Sequence, residues 1–393
     1  MLKPILFLLS FLAVTPAIAQ AGNGITIGHT DSVFSKTLNE PRKLWIYVPE
    51  SNNKDARSPV LYLLDGDDLF LTAASIVSHL GESNSNSVIP DMIIVGIGNT
   101  DRTRDLTPTH DPEHKTSGGA EKFTTFIEKE LIPYVDNHYP TVPHRVLTGH
   151  SFAGLFVMNT VSNHPTLFNS YLALDPSVWW NKMQPLKQIQ ANIGRQNFGG
   201  QKLFIGLSNL NDTAAARKDT TNATIATRSH LGVRDVFQHT SNKSVNFRYK
   251  YFPDETHGTL PMPGIYDGLK AIFDFYKRPS FSRIGERGFN ADSLLNAHYT
   301  NVSKQMGYTI LPPESLVSGL AWLCSMRNMP KEQLQYYKLN LTNYPKSVQA
   351  HLQLGEYYEQ INDKKAAIDY YTKALALQED RELRNYIKEL KGK

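Results

Sequence analysis

The sequence predicts a doubly wound α/β fold with a mostly parallel sheet, followed by a smaller all-α region. Three observations predict it. Up to residue 277, short apolar runs bounded by Gly, Pro or Asp alternate with helical segments. Such runs are what strands buried on both faces of a parallel sheet require. A serine-bearing turn, Gly149-His150-Ser151-Phe152-Ala153-Gly154, joins one run to a helix. Beyond Pro279 the strand-like runs stop and helical patterning takes over.

Taken in order, the chain opens with Lys3, an apolar run over 5–14 broken only by Ser10, and Ala17-Ile18-Ala19 before Gln20. This is the layout of a secretory signal peptide over residues 1–19. The run is shorter than the ~20 residues a bilayer span takes, and no Cys at the cleavage site offers a lipid anchor. Export to a bacterial periplasm or beyond is expected. The domain that follows, 23–280, has strand candidates at 43–48, 60–64, 92–96, 145–148, 170–174, 203–207 and 246–252. Residues 120–138 form the clearest helix, with Phe123, Phe126, Ile127, Leu131 and Val135 at helical spacing. Residues 155–163 and 265–276 are further helices. Alternation of this kind is the signature of a doubly wound sheet.

Residues 281–312 read as a helical linker and 313–393 as a helical region. Over 348–378, Leu354, Gly355, Tyr358, Ala367, Tyr371 and Ala374 follow the tetratricopeptide spacing, with His351 at the early Trp position. A weaker copy lies 34 residues earlier at Leu320, Tyr337 and Pro345. About three such units are needed to bury a stable core, so this tail is expected to pack on the first domain or on a protein partner. The one cysteine, Cys324, excludes an internal disulfide and a Cys-rich metal site. Its neighbours Leu320, Trp322 and Leu323 place it in a helix core.

Composition narrows the function. With 40% hydrophobic residues, 20% charged residues, 25 Gly and 22 Pro, the chain is globular, neither disordered nor fibrous. Lys+Arg (41) nearly balance Asp+Glu (37), and no long basic run occurs, so nucleic acid is a poor partner. Beyond the signal region, no stretch is long and apolar enough for membrane insertion. There is no phosphate loop and no His-Glu-x-x-His, and Gly96-Ile97-Gly98 is a lone Gly-x-Gly that reads as a loop turn. No cofactor and no metal are expected.

The chemistry concentrates on Ser151. Strand, tight turn with Ser, then helix is the nucleophile-elbow context of the α/β-hydrolase fold. Gly149, Ala153 and Gly154 leave room for the turn, although Ala153 stands where the usual motif has Gly. A hydroxyl needs a base to become a nucleophile, and in this fold the base follows the last strand. His257 sits there, after the run 247–252. His150, next to Ser151, is expected to point elsewhere. The acid is chosen as Asp212, which follows the strand at 203–207. Asp175 after the sixth strand, Glu255, Asp219, or a Ser-His dyad with no carboxylate are the alternatives. The oxyanion needs preorganised donors. The Phe152 N–H is one, and the Asp67 N–H in Asp65-Gly66-Asp67-Asp68 is the other, unless that acidic loop holds a cation instead. Trp179 and Trp180 could stack on an aromatic or sugar group or pack under the cleft.

At these residues the chain resembles the esterase D or Fes-like family of α/β-hydrolases over residues 24–277. The stretches that carry the resemblance are Leu61-Tyr62-Leu63-Leu64-Asp65-Gly66-Asp67, Arg102-Thr103-Arg104-Asp105-Leu106-Thr107-Pro108, Gly118-Gly119-Ala120, Glu130-Leu131-Ile132-Pro133-Tyr134, Gly149-His150-Ser151, Asp175-Pro176-Ser177-Val178-Trp179-Trp180 and His257-Gly258. It looks most similar to the periplasmic branch with enterobactin-type siderophore esterases. That resemblance implies a small-ester hydrolase with an open cleft. It also implies a basic residue that grips an anionic substrate, and Arg102 and Arg104 fall in the corresponding loop, where a structural ion pair with Asp101 and Asp105 is the competing role. The tail departs from the minimal family domain. The expected activity is a serine esterase working through an acyl-enzyme. The alternatives are a non-catalytic binding or scaffold protein read through the tail, and a carbohydrate-binding protein with a Trp179/Trp180 platform.

Overall fold

The computed structural model describes residues 25–50, 56–82, 87–209 and 214–392. The expected signal peptide and Asp212 lie outside the described residues. Eight strands form one sheet: β1 (His29–Ser35), β2 (Glu40–Tyr47), β3 (Ser58–Leu63), β4 (Ile93–Ile97), β5 (Thr141–His150), β6 (Ser170–Leu174), β7 (Lys202–Ser208) and β8 (Asn246–Phe252). Their spatial order is β1-β2-β4-β3-β5-β6-β7-β8. β1, β2 and β4 pair antiparallel, and every other pair is parallel. All seven predicted strands are present. β1 had no signal because its sequence, HTDSVFS, is polar and alternating, as suits an exposed edge strand.

The helices between the strands are α1 (Gly66–Leu80), α2 (Arg102–Leu106), α3 (Ala120–Phe126), α4 (Ile132–His138), α5 (Phe152–Asn163), α6 (Trp180–Asn192), α7 (Ala214–Lys218), α8 (Ile225–His239) and α9 (Pro261–Ile272). The predicted helix over 120–138 is one continuous rod in which a π-turn, Ile127–Leu131, joins α3 to α4. One core lies on the α3, α5 and α8 face of the sheet, and a second lies on the α1 and α9 face. The strands between them bury both faces: β4 and β6 are buried at every position.

After Pro279 the described chain is all helical: α10 (Ala291–Met306), α11 (Glu314–Met326), α12 (Pro330–Asn343), α13 (Val348–Gln360), α14 (Lys364–Leu377) and α15 (Arg381–Gly392). α10 belongs to two cores at once. Its Leu295 and Tyr299 pack with Val317, Leu320 and Cys324 of α11. One helical turn further on, Val302 and Met306 enter the second core of the sheet. A polar seam backs this joint, where Tyr276 Oη donates to Glu82 Oε1 at 2.7 Å and Arg278 lies 3.7 Å from the same carboxylate. Among the described residues no helix is long and apolar enough to cross a membrane.

The joint also holds a buried histidine. His144 of β5 is 2% exposed, and its Nδ1 donates to the Met306 carbonyl at 3.3 Å. Burial, with some help from nearby Lys202, pushes its pKa down to about 4. The unfolded chain therefore takes up this proton first, near pH 6.5. Folded-state stability contributed here is intact above pH 6.5 and declines as pH falls toward 4. In His144→Gln, the acid-side loss of unfolding free energy between pH 7 and pH 4.5 should shrink by roughly 2–3 kcal/mol, measured by urea titration at both pH values. An unchanged slope would show that His144 does not carry the effect.

Candidate active site

Parallel strands deliver their C-terminal ends to one edge, and that edge is where open α/β sheets place their sites. β3 and β5 are neighbours there. The helices that follow them, α1 and α5, therefore start side by side. Ser151 stands at the β5–α5 junction with φ 61° and ψ −117°, a conformation that a residue with a side chain adopts only under local constraint. The constraint is a close crossing. A Cβ on Gly149 would sit 2.5 Å from the Ala153 carbonyl carbon, and one on Gly154 would sit 2.8 Å from the Leu174 carbonyl oxygen. Ala153 is accommodated because Gly149 opposite it has no side chain.

Ser151 N–H donates to the Leu174 carbonyl at 3.0 Å, and the Ser151 carbonyl accepts from Ser177 N–H at 3.1 Å. These bonds tie the elbow to the end of β6. Ser151 Oγ lies 3.4 Å from Ser177 Oγ, a buried hydroxyl that sequence reasoning did not single out. The N–H groups of Phe152, first residue of α5, and Asp67, second residue of α1, have no intrahelical acceptor. Asp67's carboxylate accepts from Trp45 Nε1 at 3.0 Å and from Asn99 N–H at 2.9 Å, which fixes the start of α1.

His257 lies in the β8–α9 loop with its side chain 55% exposed. Its Nδ1 is 3.0 Å from Asp175 Oδ2. Asp175 follows β6, is 1% exposed, and also accepts from Ser208 N–H at 2.8 Å and Ser208 Oγ at 2.5 Å. Burial pushes the Asp175 carboxyl upward, but the bonds from His257 and Ser208 and the adjacent His230 outweigh it and hold it below the usual carboxylate range. Asp175 is thus ionised and faces the imidazole. The carboxylate on His257 among the described residues is Asp175, after β6; the acid expected from the sequence, Asp212, lies outside the described residues. Glu255, two residues before His257, has its backbone carbonyl accepting from Asn209 N–H at 3.0 Å, while the imidazole Nδ1 goes to Asp175. Asp219 serves its own turn, accepting from Thr221 N–H and Oγ1.

His150 does not point away, as expected of it. Its ring centroid lies 4.4 Å from that of His257. Burial, and then the neighbouring His257, push its pKa down to about 4, so it is neutral near pH 7. The β5 strand ends so close to the β8–α9 loop that the side chain before Ser151 meets the imidazole.

The two predicted arginines separate. Arg102 makes a two-pronged pair with Asp65, Nε–Oδ1 2.7 Å and Nη2–Oδ2 2.8 Å, and its guanidinium carbon lies 5.5 Å from the Phe152 ring centroid. It stays at the site, with its side chain 36% exposed. Arg104 departs from the substrate-binding expectation: Glu40 and Asp105 occupy Nε, Nη1 and Nη2 at 2.5–3.1 Å, in a network that includes buried Arg42. A guanidinium with all three nitrogens engaged has no fork left for a ligand. The acidic loop is likewise engaged, since Asp65 is taken by Arg102 and Asn99.

The tryptophans separate too. Trp180 is 1% exposed and donates Nε1 to the Thr109 carbonyl at 3.2 Å, with its ring 5.3 Å from Phe152 and 5.0 Å from His114. It supports the site from below and cannot form an open platform. Trp179 is half-buried, 6.0 Å from Phe152. The chain then runs through three successive left-handed residues, Asn181, Lys182 and Met183. Trp180→Ala should cost about 3–5 kcal/mol of unfolding free energy, read by denaturant unfolding, whereas Trp179→Ala, at a half-buried ring, should cost clearly less. Equal losses would show that both rings are packing residues.

Comparison with known proteins agrees with this geometry. A family model described as "Putative esterase" matches residues 35–254. The chain is 32% identical over 209 residues to the ferri-bacillibactin esterase BesA of Bacillus subtilis, covering 47% of this chain and 71% of that protein. It is 26% identical over 260 residues to a siderophore enterobactin esterase of Emericella nidulans, covering 57% of this chain and 84% of the other. The solved structure of an IroE-like serine hydrolase from Shewanella oneidensis superposes with a TM-score of 0.68 at 28% identity, over 80% of this chain and 99% of that one.

Proposed function

The chain belongs to this esterase family and is by class a carboxylic ester hydrolase; from that premise we propose that it is a serine esterase acting through Ser151, His257 and Asp175. The observation that carries the reading is the 3.0 Å contact of His257 Nδ1 with an otherwise saturated, buried Asp175, beside a serine held in a strained elbow.

The mechanism follows from the placement. Asp175 accepts the Nδ1 proton of His257 and so fixes the tautomer whose Nε2 is free to act as base. Ser151 attacks the ester carbonyl as His257 takes its proton. Charge builds on the carbonyl oxygen, and the N–H groups of Phe152 and Asp67 are the donors for it. The alcohol leaves with the proton from His257, and water activated by the same imidazole releases the acid.

The relatives named for ferri-bacillibactin and enterobactin support a siderophore ester as substrate. Arg102 and Trp179, both partly exposed beside Phe152, are the residues for gripping it. The apolar leader supports export to the periplasm or beyond. The helices after residue 313 are proposed to be two tetratricopeptide-like units. Gly355 supports this, because a Cβ there would lie 2.4 Å from the Tyr371 ring where α13 and α14 cross. Their remaining face is the place for a protein partner.

Hydrolysis of short- and long-chain nitrophenyl esters tests the reading. Ser151→Ala should abolish turnover, and Asp175→Asn should lower kcat by roughly 10⁴, with Asp212→Asn close to wild type. Retained activity in Asp175→Asn together with loss in Asp212→Asn would return the acid to the loop after β7.

A further inference from the structure

The mechanism leaves the imidazole of His150 unused. His150 Nε2 is shut off from solvent and has no hydrogen-bond partner, although its ring lies 4.4 Å from that of His257 at an interplanar angle of 41°. One ligand-capable atom from each of His150, Asp175 and His257 lies within 4.8 Å of the other two. A tetrahedral ion bound at about 2.0–2.1 Å spaces its nitrogen ligands by about 3.4 Å, and with ring centroids 4.4 Å apart a turn of the His257 ring brings one nitrogen of each imidazole to that spacing. The exposed His257 side chain has room for that adjustment, whereas Asp175 is buried with both oxygens already bonded.

We propose that His150 and His257 form a two-imidazole site for a divalent transition metal of the zinc type, and that occupancy of this site switches the esterase off. Asp175 keeps its place on His257 Nδ1, the outer carboxylate that a metal-ligating histidine uses to fix its ring. Ser151 Oγ or solvent completes the coordination. The ion takes the lone pair that must otherwise receive the Ser151 proton. It is therefore an inhibitor of the reaction and no part of it. The inhibitory effect rests on the esterase reading, but the binding itself does not.

Binding is tested on the whole chain with Co²⁺ as probe. The Ser151→Ala protein should show the visible absorption of tetrahedral cobalt, displaced by Zn²⁺ and lost in both His150→Gln and His257→Gln. Inhibition is tested by nitrophenyl-ester turnover. Zn²⁺ should suppress it reversibly to chelator, and the half-inhibiting concentration should rise at least about tenfold in His150→Gln, relative to that variant's own metal-free rate. No cobalt absorption, absorption that survives both substitutions, or equal zinc inhibition in His150→Gln would overturn the proposal. Cobalt absorption without any ester turnover would instead remove the esterase reading and leave the metal site standing. If His150→Gln fails to fold, the His257→Gln spectrum decides alone.

Discussion

The close crossing of β5 and α5 sets the terms for everything around it. Gly149 meets the backbone of Ala153, and Gly154 meets the end of β6, at distances no side chain tolerates. That contact forces Ser151 out of ordinary backbone space and lifts it to the rim of the sheet. The Phe152 N–H is left without an acceptor at the first position of a helix, where the dipole also favours negative charge. The same tight junction binds the elbow to β6 through Ser151 N–H and Ser177 N–H. The segment carrying Asp175 is thereby held against the serine.

Charge at the site is arranged in saturated pairs. Asp65, itself left-handed and buried, is closed by Arg102 and Asn99. Asp175 is closed by Ser208 and His257. Arg42, Glu40, Arg104 and Asp105 form a third closed set. Buried charge is costly unless paired and hydrogen-bonded, so these sets stiffen the loops at the C-terminal edge of the sheet. His150 Nε2, beside the His257 ring, is among the buried polar atoms left without a hydrogen-bond partner.

The helical tail is built into the hydrolase. Val302 and Met306 of α10 lie in the core beneath the sheet, and Leu295 and Tyr299 of the same helix begin the tail's own core. α10 is therefore packed on both the tail and the α1 and α9 layer, and His144 extends that contact to β5. A linker reading for 281–312 describes its position in the chain but not this double packing. The periodicity of one helix cannot say that its two ends serve different cores.

The sequence by itself determined the class of fold, seven of the eight strands, the elbow serine and the loop histidine. Each is a local property: an apolar run, a Gly-rich turn after a strand, or a position after the last strand. It missed β1 because an exposed edge strand needs no apolar run. Only the tertiary structure brought Asp175 to His257, since these residues, 82 positions apart, follow β6 and β8 and are drawn together by the pairing of β6, β7 and β8. It also decided that Arg104 is enclosed by Glu40 and Asp105 and Trp180 is buried, while Arg102 and Trp179 stay partly exposed beside Phe152, because adjacent residues of one motif face different partners. His150 makes the same point. The side chain before Ser151 met a loop more than a hundred residues away, and no spacing in the sequence encodes that distance.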